Sequence, residues 1–170
     1  KRLIMATALL ITRDDIVRFT AVNGNVDTDK FIQFVKIAQD IHIQTYLGTK
    51  LLEKLQTLII ANTLTGNYET LVETYVKPML IHWSLVEYLP FAAYTIANKG
   101  VYKHSSENAE NVEKNEVDFL LEKERQIAQH YTERFISYMS FNQDLFPEYN
   151  QNVDQDMYPD TTNNYTSWFI

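Results

Sequence analysis

The side chains of this chain that could do chemistry are four histidines, a run of carboxylates and three spaced aspartates. His82 lies in an apolar stretch beside Trp83 and near Glu87. Acid–base or metal chemistry there would need a partner at helical spacing, as in HExxH. Glu87 is five positions on and shares no helical face with His82, so His82 is read as a core histidine with a hydrogen-bonded ring. His42, His104 and His130 stand apart from other ligating residues and are expected at the surface. Glu107, Glu110, Glu113 and Glu116, then Asp118, Glu122 and Glu124, would have to be fixed in pairs across a cleft to serve as general acid and base. They fall instead in a polar stretch and on a helix entry among Lys114, Lys123 and Arg125, which reads as a solvated acidic face. Asp154, Asp156 and Asp160 loosely resemble a calcium loop, but the glycine and closing glutamate of an EF-hand are missing.

The remaining chemistry is excluded by composition. The 170 residues contain no cysteine, hence no disulfide and no thiolate site. Four unclustered glycines leave no phosphate-cradling loop. Basic residues are scattered singly, with Arg13 and Arg18 on one short helix the nearest approach to a cationic face. No catalytic residue, cofactor or metal is therefore expected, and the chain is read as a non-enzyme. The length suits one domain with a sizeable core. No apolar run approaches the ~18 residues that would argue a membrane span. Met5 is a candidate native start, which would make Lys1 to Ile4 an added leader.

The elements that would position these groups are helices, with glycines expected where helices break: Gly24, Gly48, Gly66 and Gly100. Thr12 is the N-cap expected for a helix from about Arg13 to Phe19, with Asp14 and Asp15 favourable in its first turn. Asp27 or Thr28 caps a second helix to about Tyr46, burying Phe31, Phe34, Val35, Ala38, Ile41 and Thr45. Gly48 closes it, and Thr49 caps a third helix carrying Leu51, Leu52, Leu55, Leu58 and Ile59. The longest pattern runs from about Tyr68 to Asn98, with kinks or breaks at Pro78 and Pro90 and a largely buried centre from Met79 to Leu89. Asn98, Lys99 and Gly100 read as its stop. Residues 103–115 read as a polar loop, and a last helix from about Glu116 to Met139 carries Val117, Leu120, Leu121, Ile127, Ala128, Tyr131, Phe135 and Tyr138. The fold expected for residues 1–140 is all-α, about five helices in a bundle with a kinked long central helix.

Residues 141–170 differ in kind. They hold five acidic residues, no basic ones and seven aromatics, with no helical or strand period. The chain's net charge is −7, and this segment supplies −5 of it. A buried aromatic is worth roughly 1.5–3 kcal/mol, so Phe146, Tyr149, Tyr158, Tyr165, Trp168 and Phe169 should find a surface to pack on. Pro147 and Pro159 favour extended backbone. The segment reads as an extended arm whose rings dock on a neighbouring subunit, with packing on its own helices as the alternative. On the docking reading, deleting residues 141–170 leaves the helices folded and abolishes assembly.

Three stretches, YVKPMLIHWSLVEYLPFAAYTIANKGV, SSENAE and FPEYNQN, occur in an order that resembles head–tail connector proteins of tailed bacteriophages. These are adaptor or neck-ring subunits, with the crAss-like phages nearest in pattern. The resemblance runs from about Ile11 to the C-terminus. Its most specific pieces are Lys77-Pro78, Leu89-Pro90-Phe91, the stop at Asn98 to Val101 and Phe146-Pro147-Glu148-Tyr149. It implies a structural virion protein of the phage neck, made in the host cytoplasm. Copies of it, commonly twelve, would form a homo-oligomeric ring. The ring would stack on the portal and on adjacent neck or tail proteins, and DNA would pass through without sequence-specific binding. The acidic balance of the chain suits such a channel, because a lining of lysines and arginines would hold the phosphates. A different reading stays open: a helical ligand-binding or regulatory module with its pocket around His82, Trp83 and Tyr88.

Overall fold

Thr12 starts the first helix as its sequence dictates. Its hydroxyl accepts from the Asp15 amide (3.4 Å), and the Asp15 carboxylate accepts from the Thr12 amide (2.8 Å), closing a capping box over α1 (Arg13–Phe19). The computed structural model describes residues 7–22, 28–92, 94–97, 100–103, 114–151 and 156–162. The expected break at Gly24, the cap at Asp27, His104 and most of the 103–115 loop lie outside the described residues, as do Asp154, Tyr165, Trp168 and Phe169.

From α2 (Thr28–Ala38) the chain passes through a π turn (Gln39–Ile43) into α3 (Gln44–Ile60). A π turn holds one more residue than an α turn, so the buried stripe rotates within it. Phe31, Phe34, Val35 and Ala38 are buried as expected. Beyond them the core takes Ile43 and Leu47, while Ile41 is 54% exposed. The expectation of Ile41 on the core face is thus corrected by the extra residue. Gly48 (φ 72°, ψ 159°) breaks α3 into two runs, and Leu51, Leu52 and Leu55 fill the core beyond it.

The next helices are α4 (Gly66–Thr70), a π turn (Leu71–Val76) and α5 (Lys77–Tyr88), followed by a 3-10 turn (Leu89–Phe91). Gly66, with φ 65°, opens α4 rather than closing a helix. Pro78 sits in the first turn of α5, where it is tolerated. It has no N–H to give to the Thr74 carbonyl, and the Arg134 guanidinium reaches that oxygen at 3.5 Å. The buried centre is as expected: Met79, Leu80, Ile81, Trp83, Leu85 and Val86 are all inside. The expected continuation to Asn98 is corrected. After Phe91 the chain forms β1 (Tyr94–Ala97) and β2 (Gly100–Lys103), paired antiparallel with Tyr94 opposite Lys103 and Ala97 opposite Gly100. The two-residue connection and the run Tyr-Thr-Ile carried that signal, since aromatic and β-branched residues suit strands.

α6 (Lys114–Asn142) packs along α5, and α5 in turn packs on α2. The body is all-α, and the hairpin is the one sheet among the described residues. Ala128, Thr132, Phe135, Ile136 and Met139 form the buried face of α6. Leu120 and Ile127, expected inside, are exposed. At 1.5 Å per residue α6 is about 43 Å long, while α5 has only twelve residues, and the first half of α6 runs on with little of its surface covered.

Two further segments close the core. The extended stretch before α1 is held by Gln39, whose carboxamide oxygen accepts from the Leu10 amide (2.9 Å) and whose nitrogen donates to the Ala8 carbonyl (3.0 Å). Gln56 donates to the same carbonyl (3.1 Å). After α6 come two 3-10 turns (Gln143–Leu145 and Pro147–Asn150), and Phe146 and Tyr149 turn inward and are buried. Phe146 meets Tyr68 edge-on at 5.4 Å, and the Tyr68 hydroxyl donates to Glu148 (2.7 Å). Among the described residues the buried Tyr149 hydroxyl has no hydrogen-bond partner, and burial pushes its pKa up to about 12. An unsatisfied buried hydroxyl costs about 1–3 kcal/mol. Tyr149→Phe is therefore expected to raise stability by about 1 kcal/mol, read as a higher urea midpoint at unchanged slope.

Candidate functional site

Polar side chains converge on both flanks of α5. On one flank the π-turn residue His42 places Nε2 2.8 Å from a Glu87 carboxylate oxygen, and its ring stacks on Trp83 at 3.9 Å. The Trp83 indole N–H donates to the Thr132 hydroxyl of α6 (3.0 Å), which donates to the Ala128 carbonyl (2.9 Å). On the other flank His82 Nδ1 meets the Glu124 carboxylate of α6, and the His82 ring stacks on Tyr131. Each histidine thus ties α5 to a neighbouring element. His82 has the hydrogen-bonded ring that its apolar setting implied, but its partner lies 42 residues away in sequence. His42 corrects the expectation of a surface residue. His130 is exposed. Glu124, expected on a solvated face, turns inward to His82, whereas Glu122 pairs with Arg125 on the surface at 3.2 Å.

Burial holds the His42 pKa below 6.5, aided by the charge of Arg125, while the Glu87 hydrogen bond and charge pull the other way. A folded value below the unfolded one means that the unfolded chain takes up the proton first. The His42 contribution is then complete above pH 6.5 and is lost as the pH falls through the folded value. Urea midpoints measured from pH 8 to pH 5 should fall more steeply for the native chain than for a His42→Gln variant.

A cleft of about 330 Å³ opens where α1, α5 and α6 meet, lined by Asp15, Phe19, Glu73, Lys77, Pro78, Ile81, His82, Tyr131 and Arg134. Its size is at the low end for ligand pockets, which run from about 300 Å³ upward. Lys77 is held by Glu73 (2.7 Å) and faces Asp15 (3.9 Å). Arg134 lies over the Tyr75 ring (4.9 Å). The pocket expected around His82, Trp83 and Tyr88 does not form as one space. Trp83 lines a separate cavity of about 90 Å³ with Tyr46, Thr132 and Ile136, and Tyr88 packs against Phe31 and Phe34. Among the described residues no three metal-ligating side chains gather, and no helix is long and apolar enough to cross a membrane.

The arm has a built seat. Gly48 interrupts α3, which leaves main-chain groups on both sides of the break without helical partners. The segment 156–160 supplies them: the Thr49 amide donates to the Met157 carbonyl (3.0 Å), and the Asp160 amide donates to the Thr45 carbonyl (2.8 Å). Thr49, expected only to cap a helix, uses its hydroxyl fully. It donates to Asp156 (3.0 Å) and accepts from the Met157 amide (3.2 Å) and from Gln44 (2.9 Å). Pro159 packs against Gly48, where a Cβ would stand 2.8 Å from its Cδ. Two of the three aspartates that loosely resembled a calcium loop, Asp156 and Asp160, lie at this seat. Asp156 takes the Thr49 hydroxyl, and Asp160 accepts from Thr162, which holds its carboxyl below the usual range.

The six proposed docking residues therefore divide. Phe146 and Tyr149 are core residues of their own chain, which corrects their assignment to a partner surface. Tyr158 is 52% exposed beside the seat. Tyr165, Trp168 and Phe169 lie outside the described residues. Sequence reading missed the outer side of α6, where Phe119 is 62%, Leu120 51% and Phe141 88% exposed. Leu120 and Ile127 carried a helical period, and a period does not say whether a neighbour is there to cover it.

Residues 43–158 match one protein family, described as a family of unknown function (DUF6712). No curated protein matches the chain, and no solved structure does.

Proposed function

Since the chain belongs to this family of unknown function (DUF6712), we propose its role from its own chemistry and from the connector resemblance. It is a structural virion protein, a ring-forming head–tail connector in the neck of a tailed phage. About five helices in a bundle form the subunit, and copies of it, twelve on the connector pattern, close into a ring. The ring joins the portal to adjacent neck or tail proteins and continues the DNA channel. The observation that carries the reading is the uncovered apolar side of α6, with Phe119, Leu120, Ile127 and Phe141 in water. Large apolar side chains gathered on one exposed helix mark a surface that another protein covers. The net charge of −7 suits a channel that lets DNA slide.

Light scattering and electron microscopy of the protein alone and with portal rings test this. Ring particles, or binding to the portal, support it. A chain that stays monomeric and leaves portal rings bare at high concentration refutes it. Phe119→Asp should abolish assembly and leave the fold intact, because that side chain is already in water.

The cleft beside His82 favours a second reading, a helical module that binds a small ligand. Small-molecule titrations followed by histidine and tyrosine NMR signals test it, with shifts confined to His82 and Tyr131 as the supporting result.

A further inference from the structure

We infer that the Gly48 seat is an exchange site, at which residues 156–162 of one copy dock on the body of a second copy in the assembled state. The inference rests on the reading of the chain as an assembling subunit and names the contact that links its copies.

The seat is specific. It offers two main-chain hydrogen bonds in fixed register, a hydroxyl that binds both Met157 and Asp156, and a glycine whose missing Cβ makes room for Pro159. A chance surface contact has no such register. The occupant is also held lightly. Pro159 is its one buried side chain, while Asp156, Met157, Tyr158, Thr161 and Thr162 are exposed. Segments with few buried apolar contacts and exposed hydrogen bonds open at low free energy. The root of the arm behaves differently, because Phe146 and Tyr149 are locked in the core. The body therefore keeps its fold when the seat empties, and an identical segment from a neighbour restores every bond. Exchange of identical elements is a low-cost route to association. In a ring the neighbour's segment is present at a high effective concentration, so it can compete with the chain's own segment for the seat.

The chain has no cysteine, so a disulfide can report which copy fills the seat. Thr49→Cys and Met157→Cys are made in separate chains, mixed and oxidised after assembly. The double variant in one chain checks that the geometry permits closure. A second pair, Thr45→Cys with Asp160→Cys, repeats the test without touching the Thr49 hydroxyl. The expected result is a disulfide-linked dimer joining the two single variants, at least tenfold above the yield from Thr49→Cys mixed with an off-site Ser140→Cys. Closure of the double variants within one chain, with mixed singles at background in fully assembled material, would overturn the exchange. Particle size is scored separately, so rings without cross-links fail this inference alone, whereas the absence of any assembly fails the connector reading and this inference together.

Discussion

Phe146→Ala is expected to cost about 3–5 kcal/mol of folding stability, the usual range for emptying a buried aromatic site. The side chain is fully buried, meets Tyr68 edge-on at 5.4 Å and lies 6.4 Å from the Tyr138 ring. Those rings come from separate stretches of chain, so collapse into the void would have to move both. Many domains have only about 5–15 kcal/mol in total, so the variant should lose a large part of its denaturant midpoint. The same logic reverses the expected outcome of removing residues 141–170. That deletion takes away Phe146 and Tyr149 together with the Glu148 partner of Tyr68 and Lys54. The truncated chain should unfold rather than persist as a folded, non-assembling body. A cut after Gln151 spares these groups and should keep the helical signal. Circular dichroism with urea titration on the two truncations separates the cases, and equal stability of both would show that the buried rings contribute nothing.

The sequence displayed the fold where local chemistry decides it and hid it where a distant partner does. Thr12, Asp14 and Asp15 announce α1 because a capping box closes within four residues. The buried stretch from Met79 to Val86 announces itself because its apolar residues cover more than one helical face. The π turn at Gln39–Ile43 left no such mark, and its effect shows only in which isoleucine is buried, Ile43 rather than Ile41. The histidine pairs were hidden for a related reason. His42 meets Glu87 across 45 residues and His82 meets Glu124 across 42, and no local spacing encodes either meeting. Gln39 is the clearest instance: between Ala38 and Asp40 nothing local marks it for the core, yet it is fully buried and holds the Leu10 amide. A buried amide is stable there because both ends of its carboxamide find main-chain partners.

The arm combined both situations. Its acidic, aperiodic composition correctly implied that it needs another surface, but composition cannot say whose. Phe146 and Tyr149 follow α6 within a few residues, so the entropy of bringing them back to the same core is small. Pro159 lies farther along, and its seat depends on a glycine 111 positions earlier in the chain.

That dependence makes Gly48→Ala the second large effect. The backbone at φ 72° and ψ 159° lies in a region that side-chain-bearing residues avoid, at a cost of order 1–3 kcal/mol. The new Cβ would also stand 2.8 Å from Pro159 Cδ and 3.3 Å from the Met157 carbonyl oxygen. Either the backbone of α3 shifts or the arm leaves, and leaving gives up the Thr49–Met157 and Thr45–Asp160 bonds. The combined loss is expected at about 2–4 kcal/mol. A double-mutant cycle with the chain cut after Gln151 divides it. In the shortened chain Pro159 is gone, so the clash disappears while the backbone cost remains. Gly48→Ala should then be milder there than in the full chain, and the difference measures the contact itself. An identical loss in both backgrounds would mean that the glycine serves only the bend in α3 and that the arm rests on it without specificity.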